Sequence, residues 1–170
     1  MICKPSGVTA QVSASGAPNS VTNGYFAGAA YLISGSSSGW SASTLSSATA
    51  KVLGTGLYDC AGYAVSLGGD VNADGFDDLL IGRSRNACSD VTTVPGYASL
   101  VIGSPDLGSI TLSSADATFV GENNSDLAGS SVSITGDVDG NGYDDLLIGA
   151  FYNTSGALDS GSAYLLLSGL

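Results

Sequence analysis

The sequence contains no histidine, and only four of its 170 residues are lysine or arginine. Without histidine the chain cannot form a Ser-His-Asp triad or a Cys-His pair, and it offers zinc no imidazole nitrogen. We therefore expect a protein that is not an enzyme. No apolar run is long enough to cross a bilayer as a helix, so we also expect no membrane insertion by this segment.

The few charged residues are mostly acidic and are concentrated in two places. The formal net charge is −11, with 15 aspartates and glutamates in the whole chain. A field of this sign repels nucleic acid, so no nucleic-acid partner is expected. Eight of the acids lie in two short segments, which favours binding of a local cation there over a general role in solubility. They are Asp70, Asp74, Asp77, Asp78, Asp137, Asp139, Asp144 and Asp145.

The two acidic segments belong to an internal repeat. DVNADGFDDLLIG begins at residue 70 and DVDGNGYDDLLIG begins at residue 137, a separation of 67 residues. TLSSATAKVLG (44–54) and TLSSADATFVG (111–121) have the same separation. GAAYLIS, GYASLVI and GSAYLLL begin at residues 28, 96 and 161. A shared period in separate landmarks indicates a repeat architecture.

Within one period, alternating apolar residues and intervening turn residues predict four short strands, and no helical period is present. The predicted strands are 62–67, 78–82, 97–102 and 116–120. We therefore predict an all-β fold, a partial β-propeller built from four-stranded antiparallel blades, with about two and a half repeats. The predicted divisions are a partial blade with strands two to four (1–54), a complete blade with a calcium loop (55–121) and a partial blade with strands one to three and a calcium loop (122–170).

A propeller closes with roughly four to eight blades. Three repeats, two of them partial, leave sheet faces and strand edges open. We therefore expect closure to need the remaining blades of a longer protein, or self-association.

The two acidic segments, loop 1 (residues 70–78) and loop 2 (residues 137–145), predict two Ca²⁺ sites. Alternate residues of a tight loop point inward, so side-chain oxygens at loop positions 1, 3, 5 and 9 and the backbone carbonyl at position 7 can surround one ion. Glycine at position 6 permits the sharp turn. The candidate ligands are Asp70, Asn72, Asp74, Phe76 and Asp78 in loop 1, and Asp137, Asp139, Asn141, Tyr143 and Asp145 in loop 2.

The two loops have two alternative interpretations. An EF-hand needs a glutamate at position 12, where this chain has Ile81 or Ile148. Asp and Asn can also cap a tight hairpin without any metal, although two copies favour a metal site. At position 8, Asp77 and Asp144 are expected to point away from the ion and to accept hydrogen bonds from nearby backbone. The corresponding loop of the first repeat, from Lys4, has no carboxylate and should be metal-free.

Cys60 and Cys88 lie symmetrically about loop 1, so in a regular hairpin they would face each other. Directly opposed positions have a Cα separation that a disulfide tolerates. We predict a Cys60–Cys88 disulfide, and the alternative is two small thiols in the core. Cys3 is left over and can pair outside this segment.

With these residues in hand, the chain resembles the FG-GAP repeats of integrin α-subunits and related bacterial surface proteins. The matches are the two loops with DLLIG, Ala61-Gly62, Ala128-Gly129, Gly16-Ala17-Pro18, Gly149-Ala150, and Tyr31 or Tyr164. Alanine replaces the phenylalanine of the family before glycine, and Arg83 breaks the Gly-Ala-Pro pattern. The resemblance implies a propeller whose calcium is structural and not catalytic.

These observations predict a calcium-binding propeller segment of a secreted or cell-surface protein that acts in adhesion or protein–protein interaction. The alternative is an accessory or carbohydrate-binding propeller of a larger secreted enzyme. The expected ligand is a protein or a glycan. Weak calcium sites, with dissociation constants of about 10⁻⁴ to 10⁻³ M, are typical of extracellular modules. Asn123 and Asn153 also begin N-x-Ser/Thr glycosylation sequences.

Overall fold

β-strands in three sheets form the part of the chain that the computed structural model describes, residues 12–34, 44–84, 94–158 and 160–169. Within those residues there are eleven strands and two short 3₁₀ turns, and no α-helix. The predicted all-β class is confirmed. The strands are β1 (Val12–Ala17), β2 (Ala29–Ser34), β3 (Ala50–Leu53), β4 (Ala61–Leu67), β5 (Leu79–Arg83), β6 (Tyr97–Val101), β7 (Ile110–Thr111), β8 (Ala117–Val120), β9 (Ala128–Gly136), β10 (Asp145–Ala150) and β11 (Ser162–Leu166).

The three sheets follow one another along the chain. Sheet 1 has the order β1-β2-β3-β7, sheet 2 has the order β4-β5-β6-β8, and sheet 3 has the order β11-β10-β9. All pairs in sheets 2 and 3 are antiparallel. The four strands predicted in the central repeat each agree with a strand of sheet 2 to within one residue at either end.

One strand pair departs from the predicted antiparallel pattern. Strand β7 pairs in parallel with β3, through Val52 with Ile110 and Leu53 with Thr111. The residues of β7 come from the connection between the third and fourth strands of sheet 2. This two-residue strand therefore extends sheet 1 with backbone from the next repeat, and it ties the two repeats together.

The core lies between neighbouring sheets, because successive side chains of a strand point to opposite faces. In β5, Leu79 and Ile81 pack against sheet 1 in a cluster that includes Leu32 and Val52. Leu80, between them in sequence, packs against sheet 3 in a second cluster that includes Ile148. Sheet 2 is thus covered on both faces, and its central strand β5 is buried along its whole length.

Glycines allow close contacts between neighbouring sheets. A Cβ added to Gly82 of β5 would overlap the carbonyl oxygen of Gly129 in β9. Gly129 itself has φ +79°, a conformation that favours glycine. Glycine at both positions lets the backbones of sheets 2 and 3 touch at the end of the strands that lies away from loop 1 and loop 2.

The second face of sheet 3 is apolar and exposed. Leu147 in β10 is 37% exposed and Leu165 in β11 is 49% exposed. Their repeat equivalents in sheet 2, Leu80 and Leu100, lie in the core between sheets 2 and 3. The described sheets therefore form an open stack and not a closed ring. No helix in the described ranges is long and apolar enough to span a membrane.

Candidate metal centre

Both acidic loops lie at the same place in their sheets, between the first and second strands. Loop 1 connects β4 to β5, and loop 2 connects β9 to β10. Gly75 and Gly142, at position 6, have φ +89° and +93°. The predicted need for glycine in the sharp turn is confirmed at these two positions. A second left-handed residue was not predicted, at position 4, where Ala73 has φ +58° and Gly140 has φ +80°.

The first aspartate of loop 2 organises the loop backbone. Asp137 Oδ1 accepts hydrogen bonds from Gly140 N at 2.6 Å and Asn141 N at 3.0 Å. Its Oδ2 accepts from Gly142 N at 2.8 Å. These bonds, the one from Gly142 most of all, lower the pKa of the Asp137 carboxyl below its usual range. Asp137 therefore stays ionised, which a calcium ligand requires.

Asp145, the last aspartate of loop 2, is fully buried and accepts hydrogen bonds from backbone within loop 2 and beyond β11. Asp145 Oδ2 accepts from Val138 N at 2.8 Å. Its Oδ1 accepts from Ser168 N, beyond β11, at 2.9 Å. A carboxylate holds about four lone-pair sites, so each oxygen can still face an ion.

Loop 2 brings three of its predicted ligands together. One carboxylate oxygen each from Asp137, Asp139 and Asp145 lie within 4.8 Å of one another, and no other such acidic group occurs among the described residues. Calcium binds oxygens at 2.3–2.6 Å, so two ligands of one ion are at most about 5 Å apart. The donor set and its spacing both fit Ca²⁺.

The remaining predicted ligands of loop 2 are Asn141 and Tyr143. Asn141 donates from Nδ2 to Asp139 Oδ2 at 3.2 Å and to the carbonyl of Ser168 at 2.8 Å. Its Oδ1 accepts from Tyr143 N at 2.9 Å. The amide oxygen of Asn141 has a second lone pair, so it can still face an ion. Tyr143 was predicted to bind through its backbone carbonyl, and it lies half-buried at the turn.

Loop 1 repeats the backbone arrangement of loop 2. Asp70 Oδ1 accepts from Asp74 N at 3.0 Å, and its Oδ2 accepts from Gly75 N at 2.8 Å. Asp74 Oδ1 accepts from Phe76 N at 2.9 Å. Asn72 accepts from Asp74 N at 3.1 Å and donates to Asp74 Oδ2 at 2.8 Å. Loop 1 also has three carboxylates, Asp70, Asp74 and Asp78, but among the described residues only the group in loop 2 has oxygens within 4.8 Å of one another.

Asp78, at position 9 of loop 1, is buried like Asp145. Its Oδ2 accepts from Val71 N at 2.8 Å and its Oδ1 from Gly103 N at 2.7 Å. Burial raises the pKa of the Asp78 carboxyl, and Asp74 and Asp70 raise it further, whereas the bonds from Gly103 and Val71 oppose the shift. Loop 1 thus holds a buried carboxylate that is less easily ionised than an ordinary aspartate.

The donors to the position-9 carboxylates were not predicted. Gly103 and Ser168 each follow the third strand of their sheet and occupy equivalent places in the repeat. The repeat alignment of GYASLVI-Gly103 with GSAYLLL-Ser168 is the signal that could have located them.

At position 8 of loop 2, the predicted hydrogen bond from backbone to the Asp144 carboxylate is present. Asp144 Oδ2 accepts from Asp70 N at 2.8 Å, across the boundary between sheets 2 and 3. The backbone N–H of Asp144 in turn donates to the carbonyl of Asp70 at 3.1 Å. The two loops are therefore joined directly by a reciprocal pair of hydrogen bonds.

Some predictions fall partly or wholly outside the described residues. Cys60 is buried, but Cys88 lies outside the described ranges, so the disulfide stays a prediction. Cys3 and the loop from Lys4 are outside them as well. Asn153 is fully buried, and its Nδ2 donates to Asp126 at 2.7 Å and to the Tyr164 hydroxyl at 3.1 Å. Its glycosylation sequence is therefore inaccessible in the folded chain.

Comparison with known families identifies the segment that carries loop 2. Residues 128–166 match the family model of the FG-GAP repeat. The matched segment begins at the first residue of β9 and ends at the last residue of β11. No curated protein matches the chain. The resemblance to this family is confirmed for the segment that forms sheet 3 and loop 2, which is similar to an FG-GAP repeat.

Proposed function

We propose that the chain is a non-catalytic, calcium-binding segment of a β-propeller, in which each sheet is one blade. The close stacking of sheets 1, 2 and 3 around two shared cores supports the blade assignment. The exposed leucines on the second face of sheet 3 support a further blade, or a second copy of the chain, as what completes the stack.

One observation carries the calcium proposal: the convergence of Asp137, Asp139 and Asp145 in loop 2. Three carboxylates this close repel one another unless a cation offsets their charge. The one ion pair among the described residues joins Arg83 to Asp59, outside both loops, so no basic side chain of that part of the chain neutralises the group. A hard divalent cation with oxygen ligands fits this need.

Loop 1 is proposed as a second, weaker calcium site. It has the same aspartate-capped turn and the same buried position-9 carboxylate. Its weakness follows from its three carboxylates, Asp70, Asp74 and Asp78, which do not converge as those of loop 2 do, and from the raised pKa of Asp78.

The bound ions would stiffen the turns between the first and second strands of sheets 2 and 3. The other loops of the propeller would then contact a protein or glycan partner outside the cell. Sites with dissociation constants of about 10⁻⁴ to 10⁻³ M fill only where calcium is abundant. A dissociation constant at or below micromolar would argue against the extracellular assignment.

Calorimetric titration with calcium tests the proposal. Wild type should bind two ions, and replacing Asp137 and Asp139 together by alanine should remove one site and leave loop 1 able to bind. Asp106→Asn, which removes an exposed charge outside both loops, is the matched control and should retain two sites. At 10 mM calcium each site should stabilise the fold by about 1.5 to 3 kcal/mol. An unchanged melting temperature at that concentration would overturn the proposal.

A further inference from the structure

The reciprocal hydrogen bonds between Asp144 and Asp70 connect the two proposed calcium loops at their ligands. Asp70 is position 1 of loop 1, so the residue whose backbone is held is itself a proposed ligand. Asp144 directly precedes Asp145, the buried position-9 carboxylate of loop 2. A shift in the backbone of either ligand is therefore transmitted to the other loop through two bonds.

The reciprocal hydrogen bonds between Asp144 and Asp70, called the bridge below, lie in a closely packed part of the molecule. A Cβ added to Gly69, next to Asp70, would overlap the side chain of Ile134 in β9 and lie 3.0 Å from Asp144 Oδ2. Close by, Ile134 N donates to Ser66 Oγ at 3.0 Å, a further bond between sheets 2 and 3. The bridge is thus embedded in a packed contact between sheets.

We infer that calcium binding at loop 1 and at loop 2 is positively coupled, with Asp144 as the positioning residue that couples them. This inference rests on the proposed calcium function. An ion held by Asp145 orders the adjoining Asp144, and Asp144 then holds the Asp70 backbone in the conformation that loop 1 needs. The second ion meets a loop that is already ordered, so it binds more tightly.

A thermodynamic cycle measured by calcium calorimetry tests the coupling. Asp139→Ala disables loop 2 and Asp74→Ala disables loop 1, and both side chains are exposed. With Asp144 intact, disabling loop 2 should weaken the remaining site about fivefold or more. Disabling loop 1 should weaken loop 2 by the same factor, because coupling between binding sites is reciprocal.

Variants at position 8 separate coupling from general structural damage. In an Asp144→Ala background, disabling either loop should change the affinity of the other less than about twofold. Asp144→Asn keeps an acceptor oxygen and should retain the coupling. Asp77→Ala removes the aspartate side chain at position 8 of loop 1. That side chain does not hold Asp70, so this variant should also retain the coupling. Amide hydrogen exchange at Asp70 in calcium-free protein should accelerate in Asp144→Ala and not in Asp77→Ala.

The possible outcomes are distinguishable. If both loops bind calcium but each affinity is unaffected by the state of the other loop, the coupling is overturned and the proposed function stands. If Asp77→Ala abolishes the coupling as fully as Asp144→Ala, the assignment to Asp144 is wrong. If neither loop binds calcium, the proposed function itself fails, whereas hydrogen exchange at Asp70 still reports whether the bridge exists.

Discussion

Arg83 and Asp59 form a buried ion pair in sheet 2, in which Nε and Nη2 of the arginine donate to the same carboxylate oxygen at 3.0 and 2.6 Å. The second oxygen of Asp59 accepts from the backbone and hydroxyl of Thr55 at 2.7 and 2.9 Å. Arg83 Nη1 donates to Ser99 at 3.2 Å, and the guanidinium lies 5.2 Å from the centre of the Tyr97 ring. Arg83 occupies the repeat position that Ala150 occupies in sheet 3. The arginine that departs from the repeat pattern is therefore held by side-chain partners of its own.

Asp59→Ala should destabilise the protein by about 3 to 5 kcal/mol, because it leaves the guanidinium buried without its counter-ion. Denaturant unfolding with unchanged slope would measure the loss, and Asp106→Asn is the exposed control. The double variant Asp59→Ala with Arg83→Met should recover most of the stability, since the unpaired charge is gone. Equal losses in the single and double variants would contradict this account.

Leu80 and Leu147 occupy the same place in successive repeats but differ in burial, at 0% and 37% exposed. Leu80→Ala should cost about 2 to 5 kcal/mol, because it opens a cavity between sheets 2 and 3. Leu147→Ala should cost less than about 1 kcal/mol in the isolated chain, where no sheet covers that face. Thermal unfolding of the two variants compares them directly. A large loss at Leu147 would show that its face is covered in solution.

The strands of sheet 2 could be predicted from the sequence to within one residue because their signal is local. Alternating apolar residues set each strand, and turn residues separate them. Strand β7 could not be predicted in this way, since Ile110 and Thr111 pair with Val52 and Leu53 of the preceding repeat. Pairing between repeats depends on how the sheets stack, which no short window of sequence encodes.

The ligand positions of the candidate site were predictable for a similar reason, since the spacing from Asp137 to Asp145 is local. The partners that hold Asp145 and Asp78 were not, because Ser168 and Gly103 lie 23 and 25 residues further along. The bridge from Asp144 to Asp70 spans 74 residues and exists only because two sheets meet. The sequence predicted the candidate side chains, whereas the residues that support them are brought close by strand pairing and by the stacking of sheets.

Position 4 of the loops offers a test of backbone strain. Ala73 has φ +58°, a left-handed conformation that costs an L-residue roughly 1 to 2 kcal/mol, whereas loop 2 has Gly140 at the same place. Ala73→Gly should therefore stabilise the protein by about 0.5 to 1 kcal/mol, after the added flexibility of the unfolded chain is counted. Gly140→Ala should do the reverse. Calcium-free thermal unfolding measures both, and a loss of stability in Ala73→Gly would contradict the assigned backbone conformation.

The two loops should lose calcium at different pH values. A raised pKa at Asp78 means that a proton competes with the ion at higher pH, whereas the lowered pKa of Asp137 protects loop 2. As pH falls from 7, loop 1 should therefore weaken first, at a pH above the usual carboxyl pKa of about 3.9. Calcium titrations of Asp139→Ala, in which loop 1 remains, and of Asp74→Ala, in which loop 2 remains, separate the two curves.

The same shifts fix the sign of the pH effect on the calcium-free fold. Asp78 has a raised folded pKa, so its stabilising contribution is present at low pH and is lost as pH rises through that pKa. Asp137 has a lowered one, so its contribution is present at neutral pH and is lost only as pH falls below the usual carboxyl range. Replacing Asp78 by asparagine, a permanently neutral side chain of the same shape, should remove the first dependence and leave the second. The calcium titrations test the assignment to Asp78. If loop 2 released its ion at a higher pH than loop 1, the Asp78 carboxylate would not be the group that limits calcium binding.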